Sequence, residues 1–223
     1  TQEINVTADN YDANKHYFLN LYHQQNYDFA MSTLPVVSST TFITRIEVWI
    51  TNRTSVTENT RNIIAFTDLG ESKPENCQGN PINFSLDIQP DNTSNSLYDW
   101  AATQPSIRDF SNSVQVLSNQ VSTPGPFKPA IHYEKVENAK KLSETEFTYN
   151  ALLGYISLNT NLNNDEVLAV AYEYTYRGET FQVGEFSTDG SNGQEALILK
   201  LLKPTITNPN NKIWDLMMKN VYS

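Results

Sequence analysis

The stretch DEVLAVAYEYTYRGETFQVGEF, residues 165–186, decides the fold because its apolar residues recur with a period of two. The larger side chains of its first half occupy alternate positions, namely Leu168, Val170, Tyr172, Tyr174 and Tyr176. Such alternation places one set of side chains on one face of a β-strand. Arg177-Gly178 interrupts the run, and Phe181 and Val183 then return in phase. The stretch therefore predicts a β-hairpin with a tight turn.

The composition of the 223 residues indicates a β-rich globular module. Hydrophobic residues make up 39% and aromatic residues 11%, which is too apolar for a disordered chain. The net charge of −10 argues against nucleic acid and against an anionic lipid surface as partners. No stretch approaches the roughly 20 consecutive apolar residues of a spanning helix, so the chain is not expected to cross a membrane by itself.

The other patterns predict an α+β fold in which antiparallel β-sheet dominates, with six to nine strands and three or four short helices. Helical turns are expected within residues 14–34 and 97–117, and a C-terminal helix over residues 213–222. Residues 134–142 fit either a helix or an extended segment. Further strands are expected in the alternating or apolar runs at residues 2–8, 42–53, 63–66 (beside the preceding strand), near Phe84, 147–149, 153–158 and 196–202.

The chain is interpreted as one soluble module, residues 1–223, of a much longer polypeptide. Thr1 is not a natural start, and the chain stops at Ser223 directly after an amphipathic run. The proline-rich segment 123–129 cannot form a helix or a central strand. The module is therefore expected to be either one domain or two packed lobes, residues 1–123 and 130–223.

No motif of catalysis or cofactor binding is found in the chain. A nucleophile elbow, a P-loop, a dinucleotide fingerprint and a zinc-protease motif are all absent from the sequence. The single Cys77 excludes a disulfide framework and a cysteine-based zinc site. His16 and His23 lie two helical turns apart, but few further ligands are near, so polar surface histidines are the ordinary interpretation. Residues 189–195 depart from a calcium loop and favour a turn. We therefore predict no enzyme, no cofactor and no metal.

The aromatic residues allow two interpretations. Tyr172, Tyr174 and Tyr176 are candidates for partner contact, because tyrosine is enriched at interfaces. The alternative, which the pattern favours, is that they pack in the core against the C-terminal helix. Trp49 lies on the more polar face of its strand, between Glu47 and Thr51, and is the single residue singled out for contact with a neighbouring part of the protein. Ordinary packing within the fold is the favoured alternative for it.

Long blocks of the sequence resemble the SprA/Sov family, the very large outer-membrane translocon of type IX secretion and gliding motility in Bacteroidetes. They follow the order of the family and cover most of the chain, while residues 72–125 match weakly. The blocks are HYFLNLYHQQNYDFAMSTLPVVSS (16–39), ITRIEVWITNR (43–53), NIIAFTDLGE (62–71), YEKVENAKKL (133–142), YNALLGYISLN (149–159), the hairpin stretch quoted above, LILKLLKP (197–204) and WDLMMKNVYS (214–223).

The resemblance implies a section of a protein-conducting outer-membrane β-barrel that is needed for protein export and gliding motility. It implies as partners the remainder of the translocon barrel, a PorV-like shuttle protein, a plug protein and secreted cargo proteins. Because outer-membrane barrels carry their longer loops outside, an insert of this length is expected in an extracellular cap, with the periplasm as the alternative. The alternative function is a carbohydrate- or cargo-binding module of the cell surface, which predicts a row of exposed aromatic side chains in a groove.

Overall fold

Five strands close into a barrel at the centre of this computed structural model. A pairing between the first and the last strand closes the ring, whose strands in order are β2 (Thr41–Ile50), β4 (Tyr133–Lys141), β3 (Thr60–Phe66), β9 (Leu197–Lys203) and β7 (Leu168–Tyr176). β3 and β9 run parallel, and the other barrel pairings are antiparallel. β2 and β3 come from residues 1–123, and β4, β7 and β9 come from residues 130–223, so both stretches build the same barrel.

Four smaller strands and four short helices surround the barrel within the described residues. β8 (Glu179–Val183) extends the sheet beyond β7. A separate antiparallel sheet has the order β1 (His16–Phe18), β6 (Tyr155–Leu158) and β5 (Phe147–Asn150). The helices are α1 (Leu21–Met31), α2 (Leu97–Ala102), α3 (Pro105–Arg108) and α4 (Ser113–Asn119), followed by a 3₁₀ helix at Lys212–Leu216.

The structure describes residues 7–76, 89–189 and 195–222. Most of the strand predicted at residues 2–8, the strand predicted near Phe84, Cys77 and most of the turn predicted at residues 189–193 lie outside these ranges. No helix within them combines the length and the apolar character needed to cross a bilayer.

The structure confirms a mixed fold of helices and sheets with short helices. The hairpin of residues 165–186 forms as β7 and β8, and Arg177 and Gly178 both adopt positive φ in its turn. The strands predicted at residues 147–149 and 153–158 form as β5 and β6, which pair as a hairpin, and the ambiguous residues 134–142 form β4 and its end. Pro105 divides the helical region predicted within residues 97–117, since α3 begins there.

Three local predictions are wrong. The C-terminal helix stops at Leu216, because Met217 forms a β-bridge with Tyr17 and the Met218 amide donates to the His16 carbonyl over 2.9 Å. This same docking keeps residues 16–18 extended as β1 instead of forming the first of two helical turns. Residues 63–66 lie between β4 and β9 and not beside β2, whose edges are taken by β7 and β4.

A buried ion pair fixes the start of α1 on the barrel. Lys200 in β9 is 1% exposed, and its ammonium lies 2.8 Å from the carboxylate of Glu71, which is 4% exposed. Lys200 also donates to the carbonyl of Thr67, and Glu71 accepts the first α1 amide, that of Leu21, over 3.2 Å. The pair thus joins β9, the turn after β3 and α1 by one charge-assisted network.

Removing one partner of this pair is expected to destabilise the chain strongly. Lys200→Met leaves the Glu71 carboxylate buried without its cation, which costs about 3–5 kcal/mol of unfolding free energy. Glu71→Gln in the same background removes that stranded charge, so the double variant is expected to lose less than the sum of the two single variants. Urea unfolding of the four proteins measures the difference, and strictly additive losses would contradict the coupling.

Candidate functional site

A groove runs between α1 and the turn that precedes β6. We call it the α1 groove. Its volume is about 90 Å³, which is the space of a few water molecules or one side chain. Its walls come from one face of α1, from the segment that leads into β2 and from the β5–β6 turn, with Tyr22, His23, Asn26, Tyr27, Phe29, Ala30, Ser38, Ser39, Thr40, Thr41, Leu152 and Leu153 lining it.

The sequence sets the position of α1 by its cap and by its return. The Asn20 side chain accepts the Tyr22 amide over 2.9 Å, which is a standard N-cap bond, and donates to the Gly70 carbonyl. At the other end the Ser38 amide donates to the Ala30 carbonyl over 2.9 Å. The chain therefore folds back along α1 and places its hydroxyl-rich residues 38–41 opposite the helix.

His23 forms the buried floor of the α1 groove. It is 3% exposed, and its ring meets Tyr22, Tyr172 and Tyr174 edge-on at centroid distances of 5.5–6.1 Å. Neither ring nitrogen has a hydrogen-bond partner within the described residues. Burial lowers the pKa of His23 to about 4, so the imidazole is neutral at physiological pH.

The ring of His23 also occupies the space above Gly154. Gly154 has a φ of +63°, and a Cβ there would overlap the imidazole. Two independent reasons therefore require glycine at this position of the β5–β6 turn: the positive φ of the backbone and the space that the histidine ring occupies. The prediction that His23 is a polar surface histidine is wrong, because α1 turns it towards the barrel. His16 instead lies in β1 and contacts the Ser157 hydroxyl at 2.7 Å.

The outer edge of the groove is apolar. Eleven large hydrophobic side chains are well exposed within the described residues, and four of them lie on α1, on the segment that leads from it to β2 or in the β5–β6 turn. We call these four the apolar rim: Phe29, Leu34, Val36 and Leu152. A surface that combines such side chains with hydroxyls and an amide suits a protein contact better than a reaction.

The four residues predicted for partner contact lie in the interior. Trp49 is 1% exposed, Tyr172 and Tyr174 are fully buried, and Tyr176 is 9% exposed. The Tyr174 hydroxyl donates to the Pro90 carbonyl over 2.6 Å, and its ring stacks on Phe181. In the described fold these side chains offer no surface to a partner. Tyr172 and Tyr174 contribute to the site indirectly, as the packing behind His23.

The buried charged groups serve the fold. Glu185 accepts hydrogen bonds from Arg108, from the Tyr98 hydroxyl and from the Ile198 amide over 2.9–3.0 Å. Lys203 donates to three main-chain carbonyls, including that of Glu166 over 2.7 Å. No group of three metal-binding side chains occurs among the described residues. Sequence reasoning missed these groups and the Glu71–Lys200 pair, although lysines inside the apolar run LILKLLK were a usable signal.

Gly154→Ala is expected to destabilise the chain by about 3 kcal/mol or more, because the new methyl group adds a clash with His23 to the strain of a positive φ. Gly178→Ala is the matched control. Gly178 has a φ of +85°, and a Cβ there would meet nothing within 4 Å, so its cost is the strain alone, about 1 kcal/mol. Denaturant unfolding compares the two, and equal losses would show that the histidine does not fill the space above Gly154.

The stability of the chain is expected to fall between about pH 6.5 and about pH 4 because of His23. The pKa of His23 is lower in the folded state than in the unfolded chain, so in this window the unfolded chain binds one more proton than the folded chain. Falling pH therefore stabilises the unfolded state relative to the folded state. The full effect is about 3 kcal/mol. His23→Leu is expected to remove this component from the profile of unfolding free energy against pH. Parallel profiles of the two proteins would contradict the assignment.

The comparisons with known proteins add no relative of the chain. No protein-family model matches it, and no curated protein matches it at a significant level. The resemblance to the SprA/Sov translocons therefore rests on the sequence blocks, and the contribution of the structure to function is the α1 groove with its apolar rim.

Proposed function

We propose that the chain is a non-enzymatic structural module of a SprA-like type IX secretion translocon in the outer membrane. It belongs to the extracellular cap or to the partner-docking surface of that translocon and supports protein export and gliding motility. Its partners are the remainder of the translocon barrel, a PorV-like shuttle protein, a plug protein and secreted cargo. The fold class proposed with this function is α+β with antiparallel sheet dominant. It is supported by the pairings between the described strands, of which β3 with β9 alone is parallel.

The observation that carries the proposal is the gathering of exposed apolar side chains around the α1 groove. Phe29 is 71% exposed, Val36 is 65% exposed and Leu34 is 60% exposed. Exposed side chains of this size are favourable only when another surface covers them, since each gains about 1.5–3 kcal/mol on full burial. The other exposed large hydrophobic side chains of the described residues lie on other segments, such as Val56, Ile206 and Tyr222, so we take the apolar rim as the face for docking on a neighbouring domain.

The alternative function, recognition of carbohydrate, depends on aromatic rings that line an open groove. The rings singled out for it are Tyr172, Tyr174 and Trp49, and all three are buried. Phe29 and Tyr149 are exposed aromatic residues, but they line two different depressions. A sugar-stacking row is therefore less well supported than a protein-docking face.

Cysteine labelling in intact cells tests the docking face and the side of the membrane together. Val121, 81% exposed and outside the apolar rim, and Val36 within it are each changed to cysteine in full-length protein that carries Cys77→Ser. We expect an impermeant maleimide to label Val121→Cys in intact cells. We expect Val36→Cys to be protected in the assembled translocon and labelled in the isolated chain.

Two results would contradict this proposal separately. Equal labelling of both cysteines in the assembled protein would show that nothing covers the apolar rim. Labelling of Val121→Cys only after the outer membrane is opened would place the module in the periplasm and not in the cap.

A further inference from the structure

The edge of β2 that faces away from β7 lacks a strand partner over part of its length. Beyond Thr41–Ile50 pairing with β7, only Trp49 and Ile50 pair with β4. Two backbone bonds of 2.8 Å close this open stretch, from the Ile43 amide to the Ala151 carbonyl and from the Leu142 amide to the Val48 carbonyl. Between these two bonds, residues 44–47 have no strand partner on this edge of β2 within the described chain.

The strand across this gap has an open edge as well. β5 pairs only with β6, and it is the outer strand of its sheet. The Glu146 carbonyl accepts a hydrogen bond from the Asn159 amide and the Asn150 carbonyl accepts one from the Gly154 amide, so both carbonyls point towards β6. Since main-chain groups of alternate residues point to opposite edges of a strand, those of Phe147 and Tyr149 point away from β6. By the same alternation Ile46, two residues before Val48, directs its amide and carbonyl into the gap.

The gap forms a groove of about 480 Å³ lined by residues 44–46, residues 147–149 and Glu144. We call it the β2–β5 slot. Its two ends are five residue steps apart along β2, which is about 16 Å at the rise of a strand. This length accommodates about four residues of extended chain. The slot is thus bounded on both sides by main-chain donors and acceptors that point into it.

We propose that the β2–β5 slot binds a short, basic, extended segment of another polypeptide as an added strand. Only an extended backbone presents donors and acceptors with the period that both edges require, and strand addition to an open edge is an established mode of peptide recognition. The class of the occupant is therefore a peptide and not a small polar ligand.

Charge selects the basic character of this segment. The Glu144 carboxylate is exposed at the slot, and no cation lies within ion-pair distance of it among the described residues. Arg45, the cation of the lining, has an acidic partner of its own, because its guanidinium lies 3.7 Å from the Glu47 carboxylate. It also lies 3.7 Å from the centre of the Phe186 ring and bonds the Thr188 hydroxyl over 2.8 Å. Glu144 is therefore the charge of the lining that is left for an occupant, and the net charge of the chain, −10, is negative as well.

The test is a titration of the 223-residue chain with a capped pentapeptide of alternating lysine and valine, followed by amide NMR. We expect shifts and slowed hydrogen exchange at Ile46, Phe147 and Tyr149. A peptide of the same sequence with alternate amides N-methylated loses its strand hydrogen bonds and is expected to bind at least about tenfold more weakly. A glutamate–valine peptide is expected to bind more weakly as well, because Glu144 repels it.

Tyr149→Pro removes one donor of the slot without breaking a β6 hydrogen bond, and proline is tolerated on an edge strand. We expect the same weakening of at least about tenfold, with Gly178→Ala as a control that leaves binding unchanged. Binding that is indifferent to N-methylation would overturn the proposal even if the proline variant misfolds. Self-association of the chain with the same amide shifts and no peptide would also overturn it, since a second copy would then fill the slot. These readouts use the isolated chain, so they stand apart from the placement of the module in a translocon.

Discussion

β7 holds the molecule together because three strands pair with it. β2 follows one edge along its whole length, while β9 takes the first part of the other edge and β8 the second. The change of partner occurs at Gly184, whose φ is +77° and whose missing side chain lets it approach the Val170 carbonyl. The next amide, that of Glu185, already bonds Ile198 in β9 over 2.9 Å. One glycine thus lets a hairpin continue into a closed barrel.

Because β7 is buried on both sides, the polar groups of the segments around it are buried as well and need partners inside the protein. The segments that connect the barrel strands have main-chain carbonyls and amides that need hydrogen-bond partners. Long charged side chains supply these partners. Lys203 does so for residues 164–166, and Glu185 for the start of β9 with Arg108 from α3. Glu71 and Lys200 extend the same solution to α1. Buried charge in this protein therefore ties peripheral elements to the barrel, and the position of the α1 groove depends on it.

Much of the sheet could be predicted from local patterns, and the exceptions have physical causes. β2, β7, β8 and the β5–β6 hairpin follow from alternation and turn residues, because these signals are local. The partner of β3 could not be found, since the parallel contact with β9 joins residues far apart in sequence. The interior position of Trp49 could not be decided from alternation, because β2 is covered on both faces at its end, where Val48 and Trp49 are both buried. His23 was missed because only Gly154, distant in sequence, reveals the space its ring fills.

The two depressions on this side of the barrel have a common origin. The pairing of β2 with β7 shifts register between Ile43 and Arg45. The residues whose main-chain groups point away from β7 are therefore odd-numbered before the shift and even-numbered after it. The Ile43 amide can then bond the Ala151 carbonyl in the β5–β6 turn. The chain that leaves β4 bonds β2 once more, at Leu142, and then moves away from β2 before it continues into β5. That single bond separates the α1 groove from the β2–β5 slot. A bulge in one barrel strand thus accounts for both the groove beside α1 and the open strand edge next to it, and the two proposed contacts depend on these surfaces.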